Sequence, residues 1–399
     1  MQPYKRYDTA MLRAVCLLTT LACLAPPIAA EEPADTGLRI ATFNVAMGLE
    51  QPGELAARLA DGKDERLQQV AEVLQRVRPD IVLLNEFDYD PALDAAPLFN
   101  DNYLARSQRG QQPIRYAHHW RTPVNTGAPS GLDLDGDGQV GGPGDAWGFG
   151  RFPGQYGMLL LSRFPLRPER ARTFTAFRWS DLPGARRPTL QDGAPFHSEE
   201  TWRQHRLSSK SHWDVPVDID GRDLHVLAHH PTPPVFDGPE DRNGRRNFDE
   251  IRFWTEYTRP ADAAFILDDE GRRGGLTPHA AFVILGDFNA DPADGDSLPG
   301  AMAQLLDAAW VDARCVPRSP GAAEAAQRQG GVNTRHAGPA AADTADFDDR
   351  YAGNLRLDYV LPSAGLEVLG CGVFWPAVGE DGHGLVSVSD HRLVWLDLA

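Results

Sequence analysis

At several points along this 399-residue chain a polar side chain from a restricted set stands at the end of an apolar run. Asn44 follows Ile40-Ala41-Thr42-Phe43, and Glu86 closes Ile81-Val82-Leu83-Leu84-Asn85. His229-His230 ends a run built on Leu224 and Val226, and Asp287 and Asn289 follow Phe282-Val283-Ile284-Leu285. Asp358 opens a further run through Leu361, and Asp390-His391 precedes the last apolar stretch. The donors are hard oxygens and imidazoles, with no usable thiolate. That set suits Mg²⁺, Mn²⁺ or Ca²⁺ rather than zinc or copper. A single carboxylate with an amide oxygen holds Mg²⁺ loosely, leaving positions for water and a substrate phosphate. Asp287 and Asn289, two apart in an extended segment, face the same side. One then orients an attacking water while the other hydrogen-bonds a phosphoryl oxygen. A histidine paired with a carboxylate is held in one tautomer and made a better base or cation. Together these parts describe metal-assisted hydrolysis of a phosphoester.

Rigid elements must bring such dispersed residues together. Leu38 to Val45 reads as a strand. Asp64 to Val77 reads as a helix, with Leu67, Val70, Ala71, Leu74 and Val77 on one face. Pro79 stops it, and residues 80 to 86 form a second strand, giving a β-helix-β unit. Short strands are expected over 156–161, 223–229, 281–285, 357–361 and 393–398, and a helix around Phe248, Ile251 and Trp254. Between them run loops rich in Gly, Pro and Asp, over about 90–155, 165–212, 231–247 and 312–356, long enough to carry binding surface or lids. No internal repeat is visible. Strand ends along one edge of a sheet sandwich converge in space although distant in sequence, and the strands anchor them rigidly.

Ile40-Ala41-Thr42-Phe43-Asn44, Leu84-Asn85-Glu86, Gly286-Asp287-Phe288-Asn289, Leu357-Asp358-Tyr359-Val360-Leu361 and Ser389-Asp390-His391 occur in the order seen in the endonuclease/exonuclease/phosphatase superfamily, the deoxyribonuclease-I-like fold. The chain resembles that family from about residue 38 to 398. The resemblance implies an α/β, four-layer sandwich of two mainly antiparallel β-sheets flanked by helices, with residues 38–399 as one domain carrying long loop insertions. It implies Glu86 as the principal metal ligand with Asn44 beside it, and Asp390 as a second metal- or water-orienting carboxylate. Asp287 and Asn289 look like the pair that positions nucleophile and phosphate. Asp358 resembles the carboxylate that orients His391, itself a base or a stabiliser of phosphorane charge. A mid-chain histidine is the family's phosphate contact or general acid. The doublet leaves His229 and His230 open; His230 is chosen because it shares alternation parity with Leu224 and Val226 and is last before Pro231. Pro231-Thr232-Pro233-Pro234 departs from the hydrophobic residue usual after this histidine, which bears on the pocket mouth.

The expected activity is that of an exported phosphoesterase using Mg²⁺ (or Mn²⁺). Fold-mates cleave DNA, RNA, inositol phosphates and sphingolipids, so the fold alone does not name the substrate. A nuclease or phosphodiesterase reading stands first, with nucleic acid among its substrates, and a phosphomonoesterase or phospholipid-headgroup hydrolase second. A non-catalytic, calcium-stabilised surface-binding protein is the rival of a different class; the full set of catalytic side chain types argues against it. No protein partner is expected.

Asp133-Leu134-Asp135-Gly136-Asp137-Gly138 alternates carboxylates like the start of a calcium loop. Gly144 stands twelfth where such a loop has Glu, so an EF-hand is not expected, but a structural Ca²⁺ held by Asp133, Asp135 and Asp137 is. Arg163 reads as a loop anchor, and Arg206, Lys210 and His212 as a solvated basic patch. Composition excludes fibrous and wholly disordered classes, since 38 Gly and 32 Pro stay below the low-complexity range. Lys5, Arg6 and Arg13 before the apolar run 14–24, then a small-residue site at 26–30, predict a signal peptide over 1–30 and a linker over 31–37. Secretion or periplasmic location follows, with lipoprotein anchoring at Cys23 as a minor alternative. The run is too short to span a bilayer, which takes about 18 apolar residues. The net charge of −17 becomes −19 once a leader carrying +2 is removed, and gives no general attraction for nucleic acid. Cys315 and Cys371 would be the only cysteines of the mature chain, and an oxidising compartment favours bridging them, worth about 4 kcal/mol in the chain-entropy model.

Overall fold

In the computed structural model, residues 37–259 and 263–399 are described; the signal peptide expected over 1–30 and nearly all of the linker lie outside them. The strands are β1 (Leu38–Met47), β2 (Ile81–Phe87), β3 (His118–Trp120), β4 (Met158–Ser162), β5 (Arg172–Thr173), β6 (His212–Ile219), β7 (Arg222–His229), β8 (Ala281–Asp287), β9 (Ala345–Asp346), β10 (Asn354–Leu355), β11 (Asp358–Pro362), β12 (Val368–Val373) and β13 (Val394–Leu398). One sheet has the order β12-β13-β1-β2-β4-β3 and the other β11-β8-β7-β6-β5, with β9 and β10 as a separate pair. Pairing is antiparallel except between β1 and β2 and between β7 and β8.

Side-chain alternation sets the layers. In the first sheet Ile40, Ile81, Leu83, Met158 and Leu160 face inward, and from the second sheet Val226, Val283, Leu285 and Val360 meet them. Their neighbours Phe43, Val82, Leu84 and Leu159 face outward onto the helix Glu65–Val77 through Leu67, Val70 and Leu74. Leu227, Phe282, Ile284 and Tyr359 face outward from the second sheet onto the helix Arg242–Thr258, through Ile251, Trp254 and Tyr257. The result is helix, sheet, sheet, helix. A strand buried on both faces reads as a continuous apolar run, which is how these strands look in sequence.

The helix Glu65–Val77 starts where Asp64 accepts from Leu67 N–H and ends at Arg78, whose backbone is left-handed before Pro79. Short elements such as Ala95–Phe99, His118–Trp120 and Glu199–Gln204 also lie in regions read as loops, and two differences have a local cause. A helix, Pro320–Gln329, lies inside the region read as loop; Ser319 caps it, and only small residues such as Ala322, Ala325 and Ala326 bury, so its periodicity is faint. Tyr156, read as strand, sits in a left-handed turn before β4. Cys315 and Cys371 form a disulfide that ties the segment after β8 to β12. Among the described residues no helix is long and apolar enough to cross a membrane.

Candidate active site

The inward-facing parity that builds the layer between the sheets, continued one or two residues past the apolar stretch, delivers the polar residues to one place. Asn44 continues Ile40 and Thr42, Asp287 continues Val283 and Leu285, and His230 continues Val226 and Ala228. Asp358 opens β11 directly opposite Asp287 in the ladder. At their meeting point Asp287 Oδ2 accepts from Asn44 Nδ2 at 3.0 Å and lies 3.4 Å from His230 Nε2 and 3.5 Å from His391 Nε2. His391 Nδ1 is 2.9 Å from Asp358 Oδ2, which also accepts from Thr344 Oγ1 at 2.7 Å.

Glu86 has the wrong parity for this group, because Val82 and Leu84 face the outer helices. A β-bulge corrects it. The β1–β2 register shifts between Asn44 and Met47, and Glu86 takes φ 56. A side chain tolerates that left-handed backbone only at a cost, and such strain clusters at functional sites. The bulge carries Glu86 round to Asn44, whose Nδ2 donates to Glu86 Oε1 at 3.2 Å.

Gly286 has a comparable geometric role. Its φ is 151, and a Cβ there would meet the His229 carbonyl oxygen at 2.0 Å, so only glycine lets β8 pass β7 this closely. Asn85 completes the frame: its Oδ1 accepts from Asp287 N–H, and its Nδ2 donates to His229 O.

Burial and charge settle the proton inventory. Burial pushes the Asp287 carboxyl up, but His391, His230 and Asn44 outweigh it and hold Asp287 well below the usual carboxylate range. Burial alone lowers His391, yet the Asp358 and Asp287 charges lift it to about 10, making it a cation at neutral pH. Burial raises Asp358 to about 6, with His391 opposing. His230 is lowered, by burial and then by Lys210, so it is neutral at neutral pH. His230 Nδ1 and Asp358 Oδ1 are buried without a partner among the described residues.

The two histidines of the doublet diverge. His229 packs its ring on Phe288 at 4.3 Å within the outer apolar layer, and neither ring nitrogen has a hydrogen-bond partner among the described residues. His230 joins the carboxylate group. The segment after β8 is not extended as expected: the strand ends at Asp287, and Asn289 takes φ 51. Its N–H donates to Asp287 Oδ1 at 2.8 Å in a turn, which swings Nδ2 away to the Pro231 carbonyl at 3.1 Å. Asn44 also differs from a simple ligand: Oδ1 accepts from Ala46 N–H and Nδ2 serves two carboxylates, so it orients Glu86. Asp390 is exposed and accepts from Ser389 Oγ at 3.3 Å, outside the group of closely approaching atoms formed by Asp287, Asp358 and His391.

Arg163 anchors a loop, donating to Asp80. Lys210 and His212 are buried, not a solvated patch, because the loop before β6 folds under the helix Arg242–Thr258: His212 Nε2 lies 2.9 Å from Glu250 O, and Ser209 N–H donates to Glu250 Oε1. The sequence does not mark Thr344 or Asn85 as site residues, and it leaves Lys210 between a phosphate contact and the solvated patch that the structure excludes. Asn85 lies within Leu84-Asn85-Glu86, whereas nothing local marks Thr344. Asp133, Asp135 and Asp137 do converge, each with a carboxylate oxygen accepting a backbone N–H of its own loop.

Glu86 and His230 line a cavity of about 690 Å³ whose other walls come from the segments 126–156, 179–210 and 232–246. Residues 41–391 match the sequence profile of the Endonuclease/Exonuclease/phosphatase family. No curated protein matches the chain by sequence. Among solved structures, it is similar to an endonuclease/exonuclease/phosphatase family protein from Leptotrichia buccalis (13% identity, TM-score 0.47, covering 91% of this chain and 99% of that one). It is similar also to beta toxin from Staphylococcus aureus with bound magnesium ions (13%, TM-score 0.48, 90% and 99%). A third is sphingomyelinase C from Streptomyces griseocarneus (17%, TM-score 0.45, 90% and 98%). The chain belongs to the endonuclease/exonuclease/phosphatase family and is a metal-dependent hydrolase of phosphoester bonds.

Proposed function

We propose that this chain is an exported phosphodiesterase, of nuclease or small-diester type, working with Mg²⁺ or Mn²⁺. The observation that carries the reading is Asp287: one ionised carboxylate oxygen within 3.5 Å of an amide, a neutral histidine and a cationic histidine, next to a half-buried glutamate on a cavity wall. Glu86 would hold the ion, with Asn44 fixing its carboxylate. The donor chemistry fits, since an oxygen ligand opening on a cavity suits a hard cation that keeps several waters. When bound, the ion polarises the phosphoryl group and neutralises its charge.

The remaining steps belong to the protein. Asp287, unprotonated at neutral pH, orients the attacking water. His391, locked by Asp358, keeps its proton and places positive charge where the phosphorane develops it. His230, neutral and close to the same oxygen, contacts the phosphoryl group; the proton leaving the attacking water passes to Asp287, and the leaving ester oxygen takes its proton from solvent. A diester carries one negative charge and asks for fewer cations than a monoester. Arg242 is committed to Glu240, and Arg246 to the carbonyls of Leu207, Trp147 and Ser208. Lys210 is then the one lysine or arginine on this wall left for the phosphate among the described residues, which suits the single charge of a diester.

Hydrolysis of bis-p-nitrophenyl phosphate, abolished by EDTA, is the expected result, and plasmid DNA separates a nuclease from a small-diester enzyme. Cleavage of p-nitrophenyl phosphate alone contradicts the diester reading and promotes the phosphomonoesterase. Export draws support from the leader pattern and from the Cys315–Cys371 disulfide, which suits an oxidising compartment; N-terminal sequencing of protein from the culture medium and periplasm tests it. A structural Ca²⁺ at Asp133, Asp135 and Asp137 belongs to the same proposal, on the convergence of the three carboxylates. Calcium calorimetry on wild type and Asp135→Ala checks it, and equal heats remove it.

A further inference from the structure

The cavity beside Glu86 and His230 is far larger than a phosphoryl group needs. At about 690 Å³ it lies in the range of sites that enclose a small organic ligand. Its walls are mainly apolar, and aromatic side chains recur among them: Phe149, Tyr156, Trp179, His205 and Phe236. Two of these are exposed where the cavity opens to solvent, Phe149 at 61% and Phe236 at 88%. The PTPP segment after His230 contributes Thr232 and Pro233 to the wall, where a stiff, proline-rich turn holds the opening.

A further charged group on this wall is Lys210. Lys210 is only 5% exposed, yet its ammonium makes no hydrogen bond and no ion pair with any described residue. A cation so largely removed from bulk water is expensive, and an anion in the cavity that it lines would offset that cost. Lys210 lines the same cavity as Glu86 and His230, which puts it on the phosphoryl side. An anion bound between Lys210 and the Glu86 site would leave its organic group in the aromatic part.

We propose that this cavity is the subsite for a flat aromatic group carried on the substrate's phosphate, an aryl ring or a single unstacked nucleobase, with Lys210 as the cation that meets the phosphate. This rests on the phosphodiesterase reading above for the identity of the ester. A base inside a duplex keeps both faces on its neighbours and does not enter such a cavity. The loops that form it therefore select small or single-stranded esters.

Binding separates this claim from turnover. Phosphonates have no P–O–C bond to hydrolyse, so calorimetry reads affinity whether or not the protein is an esterase. Phenylphosphonate is expected to bind more tightly than methylphosphonate by about tenfold or more, the worth of burying one ring. n-Hexylphosphonate has comparable apolar bulk and no ring, and is expected to bind less tightly than phenylphosphonate. Val235→Trp, which fills the cavity from a half-buried loop position, should abolish the phenyl advantage while leaving methylphosphonate affinity unchanged. Lys210→Gln should weaken both phosphonates together. Phe149→Ala, on an exposed rim, keeps the test open if Val235→Trp fails to fold. It is expected to weaken phenylphosphonate selectively.

Equal affinity for phenyl- and methylphosphonate overturns the subsite, as does indifference of phenylphosphonate to the cavity variants. Tighter binding of hexylphosphonate overturns its aromatic character. Comparing thymidine 5′-monophosphate with phenylphosphonate then distinguishes a nucleobase from a simple aryl group. Phosphonate binding without any diester hydrolysis would remove the phosphodiesterase reading and leave the subsite standing.

Discussion

Asp287 and Asp358 face each other directly across the β8–β11 ladder. Like charges in that position repel and destabilise a sheet. Here His391 stands between them, 2.9 Å from Asp358 and 3.5 Å from Asp287, and its positive charge accounts for both carboxylates. The pair of strands therefore creates the charge problem that the imidazolium solves, and the same arrangement gives the site an ionised Asp287 beside a cationic His391.

Replacing Asp358 by Asn removes one of the charges that lifts His391 to about 10. In a histidine NMR titration of Asp358→Asn the His391 midpoint should move down toward the ordinary value near 6.5. The turnover that depends on the cation should fall by about 10²-fold or more. An unmoved midpoint contradicts the assignment.

Thr344 donates its hydroxyl proton to Asp358 and itself accepts from the N–H groups of Leu357 and Asp358. Thr344→Val leaves these buried groups short of a partner, at about 1–3 kcal/mol. Thermal denaturation should show a lower Tm, with reduced activity in the folded fraction; a Tm equal to wild type argues against the network.

Much of this arrangement was readable beforehand. The runs ending in Asn44, Glu86 and Asp287 announce strands because both faces of each strand are buried, and the parity of His230 with Leu224 and Val226 separates it from His229. Other parts depend on partners that no local pattern shows. Thr344 reaches Asp358 because Ala345 bridges His391, a pairing 46 residues apart in sequence. Asn289 leaves the extended path because Asp287 captures its N–H, and Lys210 is buried because Glu250 organises the loop before it. The bulge that turns Glu86 inward arises from a register shift against β1, which alternation alone does not foresee.

Gly286→Ala places a methyl group 2.0 Å from the His229 carbonyl oxygen at a positive φ. The clash must separate β7 from β8, where Asp287 and His230 meet. A loss of at least about 1–3 kcal/mol in urea unfolding is expected, together with loss of activity. Wild-type stability in this variant contradicts the close approach.

Asp343 is nearly buried, and burial, followed by the charges of Asp291 and Asp294, pushes its carboxyl up to about 8. The folded chain keeps a proton that the unfolded chain releases near its ordinary value of about 4. Asp343 therefore lowers stability as pH rises from about 4 to about 8, with no further change above. Asp343→Asn, neutral throughout, should raise Tm at pH 8 and leave it unchanged at pH 4. Equal Tm values at pH 8 contradict the shift.

The central claim is that Asp287 organises the chemistry, and single-turnover hydrolysis of bis-p-nitrophenyl phosphate by Asp287→Asn tests it most directly. The substitution keeps the shape of the side chain and removes the charge shared by Asn44, His230 and His391. With folding checked by circular dichroism, the rate with saturating Mg²⁺ should fall by about 10³-fold, the scale of losing a key electrostatic group. A folded Asp287→Asn variant that retains the wild-type rate would place the catalytic centre elsewhere.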